Sequence, residues 1–235
     1  MANFRTHVTT STLLGIGYGV AGHYALAMPW DSSLVAGGLC GVAGMFPDLD
    51  SDAGIPLRET MALAAAVVPM MLIDRFQHMG LSFEAMTLAG ASIYILVRFG
   101  LAAVIRKFTV HRGMFHSIPA MLIFAGLGFL ICGSENIPLR YYKAGGVMAG
   151  FLSHLLLDEL YSIEWARGRL RLKKSFGTAV KFWGGNTAAN LVTYAMLAIV
   201  AAAILGEPMM MERLGVPLQE TIYQSAQEAL DYVRR

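Results

Sequence analysis

The sequence predicts an all-α fold, a polytopic helical membrane protein of about seven helices. Two observations carry this. The 235-residue chain is 56% hydrophobic and only 14% charged, where a soluble domain carries about 25% charged residues. Apolar runs near the length of a spanning helix, about 20 residues, recur from end to end without a polar linker. The chain therefore reads as one membrane domain, residues 1–206, followed by a tail, residues 207–235.

The first run, Val8 to Met28, is long enough to span, and Gly15, Gly17, Gly19 and Gly22 allow close helix contact. It has no small-residue cleavage pattern, so it reads as a retained helix rather than a signal peptide. Trp30 marks a membrane interface. Ser32 to Phe46 and Met61 to Ile73 are short, and the second contains Pro69, so these two tilt or cross only partly. Glu84 to Ile105 is long but contains Arg98. Ile118 to Ser134, Tyr141 to Leu160 and Asn186 to Leu205 complete the seven. Within Arg167 to Trp183, apolar and basic residues alternate at Leu170 and Leu172 and again at Val180 and Phe182. That pattern predicts a small hairpin on the membrane surface. Pro217 to Arg235 places Ile222, Ala226, Leu230 and Val233 at helical spacing, an amphipathic C-terminal helix. Cys40 and Cys132 lie inside apolar runs at no metal-ligand spacing and read as small core residues.

Lys/Arg bias sets the orientation. With seven spans and a cytoplasmic N-terminus, eleven of the 18 basic residues fall on the cytoplasmic side, six on the other, and Arg98 within a span. The same topology brings four polar stretches to the cytoplasmic helix ends: His7, PDLDSD (Pro47 to Asp52), VHRGMFHS (Val110 to Ser117) and SHLLLD (Ser153 to Asp158). The expectation is one assembled site at the edge of the bilayer.

The residues in these stretches suit a cation. Asp48, Asp50 and Asp52 repel one another unless a cation or several donors neutralise them, and an extended backbone would put all three on one side. A solvated acidic loop is the bland alternative. His154 and Asp158 are four apart on a predicted helix, hence on one face, as two ligands of one ion would be; they could equally just hydrogen-bond each other. Ionisable groups in or beside a span are costly, which favours a functional role. His111 and His116 are five apart with Gly113 between to allow a sharp turn. Arg112 suits a phosphate or carboxylate, or serves as a positive-inside anchor. Ser117 contacts substrate or caps the next helix. Arg98 snorkels to the surface or pairs with an aspartate.

Imidazole and carboxylate without thiolate suit zinc first, with manganese or iron as alternatives. The candidates His7, Asp48, Asp50, Asp52, His111, His116, His154 and Asp158 outnumber the ligands of one four-coordinate ion, which points to two divalent ions. No phosphate loop, serine elbow or H-E-x-x-H is present. The basic run Arg167 to Lys174 suits anionic lipid headgroups, and nothing indicates nucleic-acid readout.

Four pieces in order, Thr6-His7, GMFPDLDSD from Gly44, HRGMFHS from His111 and GFLSHLLLD from Gly150, resemble the YdjM-like, LexA-regulated family of membrane-bound, predicted metal-dependent hydrolases. They span residues 6 to 158, about two-thirds of the chain. The resemblance implies a bacterial inner-membrane protein distantly similar to zinc-dependent phospholipases C. It also implies His7, Asp48, His111, His116, His154 and Asp158 as metal ligands. The favoured expectation is a hydrolase of a phosphoester, a lipid first, using metal-activated water. Asp50 or Asp52 would serve as general base, or Asp50 as a further ligand, with Arg98, Arg112 and Ser117 toward substrate. The alternative is a non-enzymatic transporter or metal sensor. Transporter sites lie near the bilayer midplane, whereas these residues lie at helix ends. A third reading, a scaffold whose charges merely pair, predicts no bound metal.

Overall fold

The computed structural model describes residues 3–50, 55–103, 113–133, 136–166, 169–172 and 177–213, with the side chains at 50, 55, 56, 164–166, 169–172, 209 and 212 left aside. The elements are α1 (Phe4–Leu26), α2 (Trp30–Ala43), a 3-10 turn (Phe46–Asp50), α3 (Ile55–Met71), α4 (Ile73–His78) and α5 (Phe83–Ile95), which runs on as a π-helical segment (Leu96–Leu101). Then come α6 (Ile118–Ile131), α7 (Ile137–Leu160), β1 (Ile163–Ala166), β2 (Arg169–Leu172), α8 (Thr187–Leu205) and α9 (Pro208–Arg213). The expected seven long runs are all helical. The C-terminal run from Pro217 lies outside the described residues.

Local chemistry sets the helix starts. The side chains of Asn3, Ser82, Ser117, Asn136 and Asn186 each accept a first-turn backbone N–H, as N-caps do. Proline in the first turn of α6 and α7 takes a position where no N–H is needed.

The centre is a seam of small residues. α2 lies between α1 and α7, and its Ala36, Cys40 and Ala43 are fully buried. A Cβ on Gly15 would collide with the Gly37 carbonyl of α2, and one on Gly150 of α7 with the Cys40 carbonyl. Close backbone approach of this kind drives helix association in lipid. Tyr18 of α1 and Tyr142 of α7 stack at 4.8 Å, and each hydroxyl donates to the other's backbone carbonyl, at 2.7 and 2.8 Å. α6 packs on α7, and α8 packs on α6, where Val200 fills the space at Gly126. The α3–α5 pair joins the bundle through a cluster of Leu49, Leu57, Met61 and Ala102, with Phe46, Val97, Phe115 and Phe124 against it.

Two 19-residue helical stretches, Phe83–Leu101 and Thr187–Leu205, are long and apolar enough to cross a membrane. Almost none of either is buried in the protein. Leu88, Phe99, Leu191 and Ile199 are all more than 60% exposed, a surface suited to lipid rather than water. At the far end of α1 and start of α2, His23, Tyr24 and Trp30 form an edge-on aromatic group of the kind found at membrane interfaces.

Two local expectations need correction. The hairpin is antiparallel as predicted, but its strands are Ile163–Ala166 and Arg169–Leu172, with Ile163 opposite Leu172. The stretch at Val180 and Phe182 is not a strand. The Glu159 carboxylate instead ties that loop down by accepting the backbone N–H groups of Gly177, Ala179 and Val180. The second correction is at the acidic run, where Phe46–Asp50 is a 3-10 turn, not extended chain. With about three residues per turn, positions two apart differ by roughly 240°, so the backbone does not align Asp48 with Asp50.

Candidate metal centre

α1 has 23 residues and α2 only 14. α2 ends beside Ser11, whose hydroxyl donates to Gly41 O at 2.8 Å, while a Cβ on Gly44 would strike the Ser11 side chain. That is two turns inside the start of α1. The 3-10 turn folds into the notch this leaves and carries Asp48 in with it. α6 begins at the same level, with His116 just before its cap, and α7 brings His154 and Asp158 on one face.

Five side chains from these segments meet. His7 Nε2 is 3.2 Å from Asp158 Oδ1. His154 Nε2 is 3.6 Å from Asp48 Oδ1 and 3.9 Å from Asp158 Oδ2. His116 Nε2 is 3.7 Å from Asp48 Oδ1 and 3.9 Å from Asp158 Oδ2. The rings of His7 and His154 stack at 3.6 Å, and the His116 ring stands edge-on to His154 at 5.5 Å. Within the group, His7, His154 and Asp158 form one set with metal-ligand spacing, and Asp48, His116 and His154 form another. Four of the five residues are at most 3% exposed, and Asp48 is the partly open one.

The donor set fits a divalent transition metal. Bonds of about 2.1 Å in tetrahedral geometry place ligand atoms roughly 3.4 Å apart, within the observed range of 3.2 to 3.9 Å. The ring of His154 is oriented from behind, because Nδ1 donates to Gly44 O at 2.7 Å. That fixes the tautomer and turns the lone pair of Nε2 inward, as the outer-shell partner of a metal-bound histidine does. His154 Nε2 and Asp158 Oδ2 are buried and have no hydrogen-bond partner among the described residues. Two buried electron-pair donors left unspent are a site for a cation. Both sets use this one nitrogen, and a nitrogen lone pair serves one ion. The five residues therefore form one ion position around His154. Burial would raise the Asp48 carboxyl, but the His116 ring beside it and the fields of His154, His116 and His7 outweigh that and hold it below its usual value. A carboxylate kept ionised is ready to bind metal.

His7, Asp48, His116, His154 and Asp158 are thus brought together. Asp50 ends the 3-10 turn and is described by its backbone alone. Asp52, His111 and Arg112 lie outside the described residues. Ser117 caps α6: its oxygen accepts Ala120 N–H, and its hydroxyl donates to Met114 O. Arg98 sits in the π-helical segment and donates to Arg58 O at 3.2 Å, rather than to any described aspartate. Gly44 has a role that sequence reasoning missed, since its carbonyl positions His154. A second missed group, Arg140 with Glu207, stands at the opposite end of the bundle. Arg140 precedes Asp158 by 18 residues, or five turns at about 3.6 residues each. It therefore lies on the face of α7 that carries the cluster, a signal readable in the sequence.

No curated protein and no solved structure matches the chain. A family model does, over residues 1–206, and its description is YdjM inner membrane protein. The match covers most of the chain and all five clustered residues, so the chain belongs to the YdjM inner membrane protein family.

Proposed function

We propose that this protein is a metal-dependent hydrolase that cleaves a phosphoester, a phospholipid or similar anionic amphiphile, at one face of the inner membrane. The observation that carries the reading is the five-residue cluster with its two unspent donors, His154 Nε2 and Asp158 Oδ2, at the end of a membrane bundle. His7, Asp48, His116, His154 and Asp158 would hold one divalent ion, zinc first and manganese or iron next. The ion's chemistry is to polarise a phosphoryl oxygen and to make water a nucleophile near neutral pH. The protein's share is positional. Gly44 fixes the imidazole of His154, Asp48 forms the partly open edge of the cluster, and the buried walls exclude bulk water. The general base is sought at Asp50, two residues past Asp48, and at Asp52.

His154 is seventh from the C-terminal end of α7, about 9 Å from it. Asp158 is third from that end and His7 is fourth from the start of α1, so the cluster as a whole lies toward the helix ends, which supports an enzyme at the membrane edge over a transporter with a midplane site. By the positive-inside rule the site faces the cytoplasm.

The test is elemental analysis of the detergent-purified chain beside Asp158→Asn, followed by assay of phospholipid and soluble phosphoester hydrolysis. Near-stoichiometric zinc, manganese or iron, lost in the variant together with hydrolysis, is expected. Bound metal without turnover on any phosphoester would favour the metal-sensor alternative. Protein that takes up no ion even when metal is added would end both readings.

A further inference from the structure

The far end of the bundle holds a second polar cluster that owes nothing to the metal centre. Arg140, in the first turn of α7, is 2% exposed and is among the largest fully buried side chains. Its Nε donates to Phe129 O at 3.1 Å, its Nη1 to Glu207 Oε2 at 3.0 Å, and its guanidinium lies 4.2 Å from the Phe129 ring centre. Arg75 of α4 donates Nη2 to the other oxygen, Glu207 Oε1, at 2.6 Å. One carboxylate thus serves two guanidiniums.

That leaves donors and charge unspent. Arg140 Nη2 and Arg75 Nε are buried and have no acceptor among the described residues. Of the neighbouring charges, Asp74 faces His78, with Nδ1 to Oδ2 at 3.7 Å, and Lys143 stands one turn along α7 from Arg140. Arg75 and Arg140 thus share the single carboxylate of Glu207. A guanidinium's planar fork matches phosphate oxygens, and basic pockets between membrane helices hold lipid headgroups. Arg140 is 14 residues from His154, about 21 Å along the helix, so this cluster belongs to the opposite leaflet. Ile73, Met79 and Tyr141 near it are each more than 45% exposed and offer apolar surface beside the charge.

We propose that Arg140 and Arg75 bind a phosphate monoanion at the leaflet opposite the metal centre, as an anionic phospholipid headgroup or a free anion supplies it. Glu207 holds the two guanidiniums in place and matches half of their charge. The proposal does not depend on hydrolase activity.

The experiment is thermal unfolding of the full chain, stripped of lipid in a neutral maltoside detergent. It is titrated separately with phosphatidylglycerol, inorganic phosphate and diacylglycerol. Phosphatidylglycerol is expected to raise the midpoint by several degrees with single-site saturation, and diacylglycerol to leave it unchanged. An equal response to inorganic phosphate assigns the site to a free anion, and a response to phosphatidylglycerol alone assigns it to the lipid. Arg75→Gln keeps the Arg140–Glu207 pair, and with it the fold. It should weaken binding about tenfold, the effect of one lost charge-assisted hydrogen bond. Arg140→Lys should do the same, and if it does not fold, Arg75→Gln carries the test. No response to either phosphate, an equal response to diacylglycerol, or an unaltered response in Arg75→Gln would overturn the site.

Discussion

The two ends of the bundle are chemical opposites built on one helix. α7 carries Arg140 near its start and His154 and Asp158 near its end, all on its buried face. At the Arg140 end the unspent groups are N–H donors. At the His154 end they are a nitrogen lone pair and a carboxylate oxygen. Between them the same face is small and apolar, with Gly146, Val147, Gly150 and Phe151. The difference teaches what each end lacks. The arginine end brings its own counter-charge in Glu207 and so is largely closed by the protein itself. The histidine end gathers ring nitrogens and carboxylate oxygens, electron-pair donors that a cation completes.

The sharpest way to break this contrast is to remove the nitrogen common to both ligand sets. His154→Ala should reduce metal content to background, measured by elemental analysis of folded, monodisperse protein, and leave the arginine end intact. Metal retained at the level of the parent chain would mean that the cluster is not the site.

The matching test at the other end is Glu207→Ala, which strands Arg140 in the interior. Removing one partner of a buried pair costs about 3–5 kcal/mol. Glu207 is at the rim, with its side chain 12% exposed, so about 3 kcal/mol is expected, read as a lowered unfolding midpoint in detergent. Metal per folded molecule should not change. The acid limb of stability should change too. Burial works against Glu207, but Arg140 and Arg75 hold its carboxyl below the usual value. A depressed carboxylate stabilises the fold fully above its unfolded pKa of about 4.3 and loses that contribution as the pH falls through the folded value. Glu207→Gln should therefore flatten the stability profile below about pH 4.3 and leave it parallel to the parent's above pH 5. A change confined to neutral pH would assign the group wrongly.

Much of the histidine end was legible in the sequence because its signals are local. The four-residue step from His154 to Asp158, and the alternation of helix direction that brings His7, Asp48 and His116 beside them, need only helix period and chain order. What was not legible depends on how elements meet. Asp48 was read in an extended run, yet Pro47 is pre-set for the first turn of a helix, and the notch beside Ser11 selects the 3-10 form. The hairpin was placed one strand too late. Its register leaves two residues between Ala166 and Arg169, and Gly168 there was the available turn signal. Arg140, five helical turns before Asp158, could have been placed on the buried face of α7, but its partner could not. Glu207, beyond the end of α8, becomes its partner only once α7 and α8 are side by side.

The comparison is sharpened by changes behind the cluster rather than in it. Gly44→Ala pushes against Ser11 and shifts the carbonyl that orients His154. Loss of such an outer-shell partner lowers metal affinity about 10–100-fold, to be read by competition with a chelator. Full affinity would show that the His154 ring is held by other means.

The smallest effect separates capping from chemistry at the rim of the same site. Ser117 spends its oxygen on Ala120 N–H and its proton on Met114 O, and it is fully buried. Ser117→Ala should therefore cost about 1 kcal/mol of stability, the loss of one N-cap. Metal content should stay at the parent level, and any phosphoester turnover should be unaltered once corrected for the folded fraction. A substrate contact would behave in the reverse way, with KM or kcat changed and the unfolding midpoint in place. Because α6 starts at this cap, and His116 is the residue before it, the variant also asks how much of the metal centre's order comes from helix initiation alone.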